Sequence, residues 1–137
     1  MRELSIVILN WNGCNYLRQF LPSVTAFSGD ARIILADNAS TDDSITFIQL
    51  NYPQIKIIQN KQNYGFAKGY NEALKEVEEE IYALVNSDIE VTQNWLNPIL
   101  DIFESDRKVA IVQPKILDFK NKTRFEYAGA GGGFIDK

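Results

Sequence analysis

The chain has 137 residues, enough for one domain and too few for two of ordinary size. Apolar residues make up 45% and charged residues 23%, a globular balance that argues against disorder. With 14 Lys plus Arg against 18 Asp plus Glu, the formal charge is −4, a poor electrostatic match for a nucleic-acid backbone. The chain has no His and one cysteine, Cys14. That removes Ser-His-Asp and Cys-His nucleophile arrangements, His-ligated metals, cysteine-rich zinc sites and an internal disulfide. Any catalysis falls to carboxylates, backbone amides or a metal.

Met1 is followed by Arg2 and Glu3, and the apolar run 6–9 is too short for a signal peptide or a membrane span. A reducing, cytoplasmic setting is expected, peripheral at the inner face of a membrane in a longer parent. The contiguous apolar residues of 4–9 predict a first strand buried on both faces, as in a parallel sheet. Leu17, Phe20, Leu21, Val24 and Phe27 then recur at helical spacing, with a kink or restart expected at Pro22. Residues 31–36 predict a second strand. Ser40, Thr41 and Asp42 are capping residues for a helix carrying Ile45, Ile48 and Tyr52, which Pro53 ends.

Residues 55–58 predict a short third strand. Phe66, Tyr70, Ala73, Leu74 and Val77 form the cleanest helical stripe, and Glu78, Glu79 and Glu80 read as its solvated end. Residues 81–85 predict a fourth strand. Trp95, Leu96, Ile99, Leu100 and Phe103 mark another helical face, and 109–112 a fifth strand. After Pro114 the pattern changes to a hairpin with arms 116–119 and 124–128, then a glycine-rich end from Gly129 to Phe134. Alternating strands and helices predict an α/β/α sandwich with a mostly parallel, Rossmann-like sheet.

The polar residues collect at the predicted strand ends. Asn10, Trp11 and Asn12 follow the first strand, Asp37, Asn38 and Ser40 the second, Asn60 and Asn63 the third, and Asn86, Ser87, Asp88 and Glu90 the fourth. Ligands of open α/β sheets sit outside the carboxyl ends of the strands, so the four sets together predict one polar cleft. On an extended chain, positions 86, 88 and 90 point the same way and offer oxygen ligands to one divalent ion. Equally, Asp88 starts the turn toward the helix near Trp95. Gly65 and Gly69 lie one helical turn apart where the clean helix opens. They allow a close backbone or ligand approach, with helix–sheet packing the plainer role for Gly69. Neither a G-x-G-x-x-G fingerprint nor a Walker A motif is present.

The strings 5–13 (SIVILNWNG), 37–42 (DNASTD), 63–71 (NYGFAKGYN) and 84–88 (LVNSD) together resemble a family 2 glycosyltransferase of the GT-A fold. The resemblance covers essentially the whole chain. It implies inverting transfer of a hexosyl or deoxyhexosyl group from a nucleotide-diphosphate sugar to the hydroxyl of a saccharide or lipid-linked acceptor. Bacterial envelope polysaccharide, lipopolysaccharide and glycoprotein synthesis all suit it. By the same resemblance Asn10 and Trp11 border base and ribose, and Asp37 hydrogen-bonds the nucleobase. Asn38, Asn63, Tyr64, Gly65, Asn86 and Ser87 complete the nucleotide-sugar site, with Tyr64 standing where many relatives carry a basic residue. Asp88 matches the last acid of an Asp-x-Asp metal motif whose first acid is Asn86 here. It is therefore the expected ligand of Mg²⁺ or Mn²⁺.

The resemblance also divides the chain into a nucleotide-sugar-binding half, 1–113, and the start of an acceptor half, 114–137. It places the catalytic base beyond Lys137, with neither Glu126 nor Asp136 suited to the role, so the chain reads as truncated and inactive alone. Two rivals remain. A receiver-like regulatory domain needs an acidic pair after the first strand, where this chain has Asn10 and Asn12. A noncatalytic nucleotide-binding module on the same fold is compatible with Asn86 in place of an acid.

Overall fold

The computed structural model describes residues 3–126. The described residues fall into two compact units, divided between Trp95 and Leu96. In the first unit the order is β1 (Leu4–Asn10), α1 (Cys14–Phe27), β2 (Arg32–Asp37), α2 (Ser44–Asn51), β3 (Lys56–Gln59), α3 (Gly65–Ala73) and β4 (Ile81–Asn86). A single 3₁₀ turn, Leu74–Glu76, follows α3. The sheet order is β3-β2-β1-β4, with every pairing parallel. This is the predicted α/β sandwich.

Strand β1 and the second half of β2 are buried on both faces, as in a covered parallel sheet, whereas β4 exposes Tyr82 and Leu84. Val7, Ile34, Ala36 and Ile58 form one core with Tyr70 and Ala73 of α3. Ile6, Ile8 and Leu35 alternate to the other face, and α1 buries Leu17, Phe20, Leu21 and Val24. Helix α1 spans Cys14–Phe27 with Pro22 inside it, so of the kink or restart expected there the chain does not restart. The Ser23 hydroxyl donates to the Phe20 carbonyl at 2.8 Å, and that of Thr25 to the carbonyls of Leu21 and Pro22 at 3.1 and 3.0 Å. These contacts hold the turns around the missing N–H.

The helical stripe after residue 65 is only partly a core face, because Phe66 is exposed while Tyr70 and Ala73 are buried. The Glu78–80 run lies outside the helix, and Glu79 is not solvated. Its side chain is almost fully covered and pairs with Arg32 at 3.1 Å. A contact with Ser5, opposed by burial and aided by Arg32, holds its carboxyl below the usual range.

The second unit departs most from expectation. Helix α4 (Asn97–Ser105) has no buried residue, although Leu96 just before it is buried. Residues 109–112 form no strand, and Ile111 is 88% exposed. An apolar run becomes a strand only where a partner takes its hydrogen bonds. The hairpin is reduced to one antiparallel bridge, Leu117 with Phe125, flanked by Asp118 N–H to Arg124 O at 2.9 Å and Glu126 N–H to Ile116 O at 3.0 Å. The remainder of its second arm, the glycine-rich end and Asp136 lie outside the described residues. No described helix is long and apolar enough to cross a membrane.

Candidate functional site

Register aligns the strand ends. Asn10 pairs with Asp37, Asp37 with Gln59, and Leu9 with Asn86. The loops that carry the predicted polar residues therefore leave the sheet from one edge.

Asp37 is fully buried. A buried carboxylate persists only where hydrogen bonds replace its water. Oδ1 accepts from the Ser40 hydroxyl at 2.6 Å and from Asn10 Nδ2 at 3.1 Å, and Oδ2 accepts from the Ser40 amide at 2.9 Å. The Ser40 hydroxyl also accepts from Asn10 Nδ2 at 3.1 Å and from the Asn12 amide at 2.9 Å. These bonds hold Ala39 at φ 60°, a left-handed conformation that costs about 1–2 kcal/mol for a non-glycine residue. The carboxylate expected at the nucleobase thus accepts from Asn10 and Ser40 of its own and the neighbouring loop.

Asn38 performs the same service for α3. Its Nδ2 donates to the Gly65 carbonyl at 2.9 Å, and its Oδ1 accepts from Asn60 Nδ2 at 2.9 Å and from the Tyr64 amide at 3.4 Å. Asn60 Nδ2 also donates to the Gly69 carbonyl at 3.1 Å. A Cβ at Gly69 would lie 2.6 Å from Asn38 Nδ2, so this glycine admits the Asn38 amide. Gly65 has open space around it and is needed instead for its φ of +73°. Asn63 accepts from the Gly65 amide at 2.8 Å and is exposed. Tyr64 carries the Lys68 ammonium 4.6 Å above its ring, which brings a positive charge beside this loop.

Asp42, read from sequence only as a capping residue, joins two helices. Its Oδ2 accepts from the Cys14 amide at the start of α1, and its Oδ1 from the Ser44 amide at the start of α2, each at 3.0 Å. Burial pushes this carboxyl up, but hydrogen bonds from Ser44 and the Cys14 amide outweigh it and hold it below the usual carboxylate range. Asn12 closes the loop pair by accepting from the Thr41 and Asp42 amides at 2.7 and 3.3 Å. The signal for this network was the Asn and Ser content of two loops, but the pairing between loops needed the sheet register.

The edge after β4 is different. The strand ends at Asn86 and the chain turns at Ser87 and Asp88, so positions 86, 88 and 90 do not continue as one extended face. Asn86, Asp88 and Glu90 are exposed and Ser87 is half-buried. No group of three or more acids and Cys14 forms a metal cage among the described residues. The turn does lie beside the first loop, because a Cβ at Gly13 would sit 2.4 Å from Asn10 Oδ1 and 3.3 Å from the Ser87 hydroxyl. Asn10 itself is buried, with Oδ1 lacking a hydrogen-bond partner. Trp11 is 56% exposed beside it. As a donor set, one accessible carboxylate with an amide oxygen nearby fits a hard Mg²⁺ or Mn²⁺ ion that takes the rest of its shell from phosphate and water.

Comparison with known proteins agrees with this geometry. Residues 5–131 match the family described as glycosyl transferase family 2. Polypeptide N-acetylgalactosaminyltransferase 4 of Caenorhabditis elegans is 30% identical over 106 residues, covering 74% of this chain and 18% of the relative. The chain thus spans less than a fifth of that relative's length. Among solved structures, S. aureus TarS 1-349 in complex with UDP-GlcNAc superposes with a TM-score of 0.67 at 22% identity, over 77% of this chain and 32% of that one. GalNAc-T7 with UDP, GalNAc and Mn²⁺ gives 0.68 at 21% identity, over 78% and 22%. The fold shared with these transferases is GT-A.

Proposed function

This chain belongs to glycosyl transferase family 2, and on that premise we propose that it is the donor-binding part of an inverting glycosyltransferase. It takes a nucleotide-diphosphate sugar at the strand-end edge and passes a hexosyl or deoxyhexosyl group to an acceptor hydroxyl. The observation that carries this reading is the hydrogen-bonded set Asn10, Asp37, Ser40, Asn38 and Asn60. It fixes three adjacent loops at the edge where open α/β sheets bind ligands. UDP-GlcNAc in the TarS complex and UDP with Mn²⁺ in the GalNAc-T7 complex support a nucleotide donor and a divalent ion.

In this reading Trp11 and Tyr64 offer accessible ring surface to base and ribose, while Asp37 and Asn38 position the loops that carry them. Asp88, with Asn86 beside it, would hold Mg²⁺ or Mn²⁺. A bound ion supplies charge neutralisation at the leaving diphosphate. With Asp88 assigned to the ion, the base that deprotonates the acceptor is a different carboxylate, a role assigned to no residue of this chain, which alone is expected not to turn over donor. A saccharide or lipid-linked acceptor and a cytoplasmic setting belong to the same proposal.

Thermal unfolding with UDP, GDP and dTDP, each in EDTA and in Mn²⁺, tests it. One nucleotide should raise Tm in a concentration-dependent way, with a stabilisation of about 2.7 kcal/mol at a hundredfold excess over Kd. Mn²⁺ should enlarge the effect. No shift with any nucleotide in either buffer rejects the donor site. A second reading, a nucleotide-binding module without transfer, is favoured by Asn86 standing where the metal motif has an acid. Binding without Mn²⁺ enhancement, and no turnover by the longer parent, would select it.

A further inference from the structure

Tyr70 stands at a junction that the donor-site reading leaves unused. It lies on α3 and is 3% exposed, with its hydroxyl donating to the Val85 carbonyl at 2.9 Å. Val85 is the penultimate residue of β4, three positions before Asp88. Within the first unit's sheet, β4 is an end strand paired with β1, and Tyr82 and Leu84 are exposed on it. The polar turn 86–88 thus begins from a strand with fewer restraints than β1 or β2.

Helix α3, by contrast, is tied to the ends of β2 and β3. Asn38 holds the Gly65 carbonyl and Asn60 the Gly69 carbonyl, one residue before Tyr70. Phe66 packs edge-on against the Tyr70 ring, with centroids 5.2 Å apart, and fixes its plane. Burial pushes the phenol up to about 12, a rise opposed in part by the Leu9 amide. The hydroxyl therefore stays protonated and donating at any working pH.

We propose that Tyr70 is a positioning residue for the Asp88 turn, transmitting the rigid geometry of the Asn38–Asn60 network through α3 to the last residues of β4. The effect on metal-dependent donor binding rests on the reading given above, whereas the effect on the turn does not.

Tyr70→Phe removes one hydroxyl and keeps the ring, so it separates the hydrogen bond from the packing. Amide hydrogen exchange of the whole chain reads the turn directly, without nucleotide. Exchange at Ser87, Asp88 and Ile89 should quicken about three- to tenfold, the effect of one buried hydrogen bond, while Ile34 and Leu35 stay unchanged. Calorimetric titration with UDP should show a several-fold loss of affinity in Mn²⁺ and none in EDTA. Unchanged exchange at the turn overturns the proposal, as does a uniform rise across β1 and β2, which would mark general destabilisation. If the unsubstituted chain binds no nucleotide, the donor-site reading fails and the exchange result still decides the role of Tyr70. Tyr70→Leu, which also loses the ring, should disturb the α3 core as well, with faster exchange at Ala73.

Discussion

The loops after β1, β2 and β3 and the turn after β4 share one sheet edge but are built in opposite ways. The first three are held by buried side chains that hydrogen-bond across loops, with Asp37 and Asn38 at their centres. The turn at Ser87 and Asp88 is exposed, and its strand is anchored from α3 by the Tyr70 hydroxyl. Buried polar networks resist change because each member is costly to leave unpaired. An exposed turn has no such restraint. Under the proposed function, this contrast makes the base and ribose side of the donor site preformed and leaves the diphosphate side to be completed by the ligand and its ion.

The largest test of this contrast is Asp37→Ala. It strips a partner from the buried Asn10 Nδ2 and from the part-buried Ser40 hydroxyl and amide. A loss of about 3 kcal/mol is expected, read as a lower urea midpoint with unchanged slope. A variant within 0.5 kcal/mol of the parent would show that the network is incidental to these loops.

Gly13→Ala probes the seam between the two regions. Its Cβ would meet Asn10 Oδ1 at 2.4 Å and the Ser87 hydroxyl at 3.3 Å. Overpacking of this kind costs roughly 1–3 kcal/mol, and thermal unfolding should show it as a lower Tm. Nucleotide affinity should fall in EDTA as well as in Mn²⁺, since the rigid side is displaced. A fall confined to Mn²⁺ would mean that the turn yields and the Asn10 loop does not.

Asp42→Asn weakens the joint start of α1 and α2, at about 1 kcal/mol, the scale of a lost helix cap. The pH dependence has a definite sign. The Asp42 carboxyl is held below its ordinary value in the folded chain, so its stabilisation is present above the unfolded pKa and is lost as pH falls through the lower folded one. Urea midpoints measured between pH 5 and pH 2.5 should therefore decline less steeply in Asp42→Asn than in the parent. Parallel curves would remove Asp42 from the acid limb.

The smallest stability change belongs to Asp88→Ala, which should stay within about 0.5 kcal/mol of the parent because the side chain is exposed. Its consequence is confined to binding: calorimetry should lose the Mn²⁺-dependent part of nucleotide affinity and keep the part seen in EDTA. Equal losses in both buffers would reject the metal assignment.

The sequence by itself determined the strands of the first unit to within a residue and the order of its helices, because contiguous apolar runs and 3.6-residue stripes report burial, although α3 ends sooner than its stripe. It also placed the polar residues at the strand ends, since loops after parallel strands leave from one edge whatever their detail. The motifs around Asn10, Asp37, Asn63 and Asp88 were enough to identify the family.

What it left open depends on partners distant in the chain. Asp37 and Asp88 are both aspartates after buried strands, yet one is sealed among Asn10 and Ser40 and the other faces solvent. The difference arises from strand order, which surrounds β2 with β1 and β3 but leaves β4 at the end of this sheet. The run 109–112 has the composition of a strand, but a strand exists only where another supplies its hydrogen bonds, and no local pattern carries that information. The same holds for Glu79, whose pairing with Arg32 across 47 positions covers one carboxylate of what reads locally as a solvated acidic run. Apolar periodicity is a local quantity and was legible from the chain; the burial of a charge is set by which strands become neighbours, and only the folded sheet decided it.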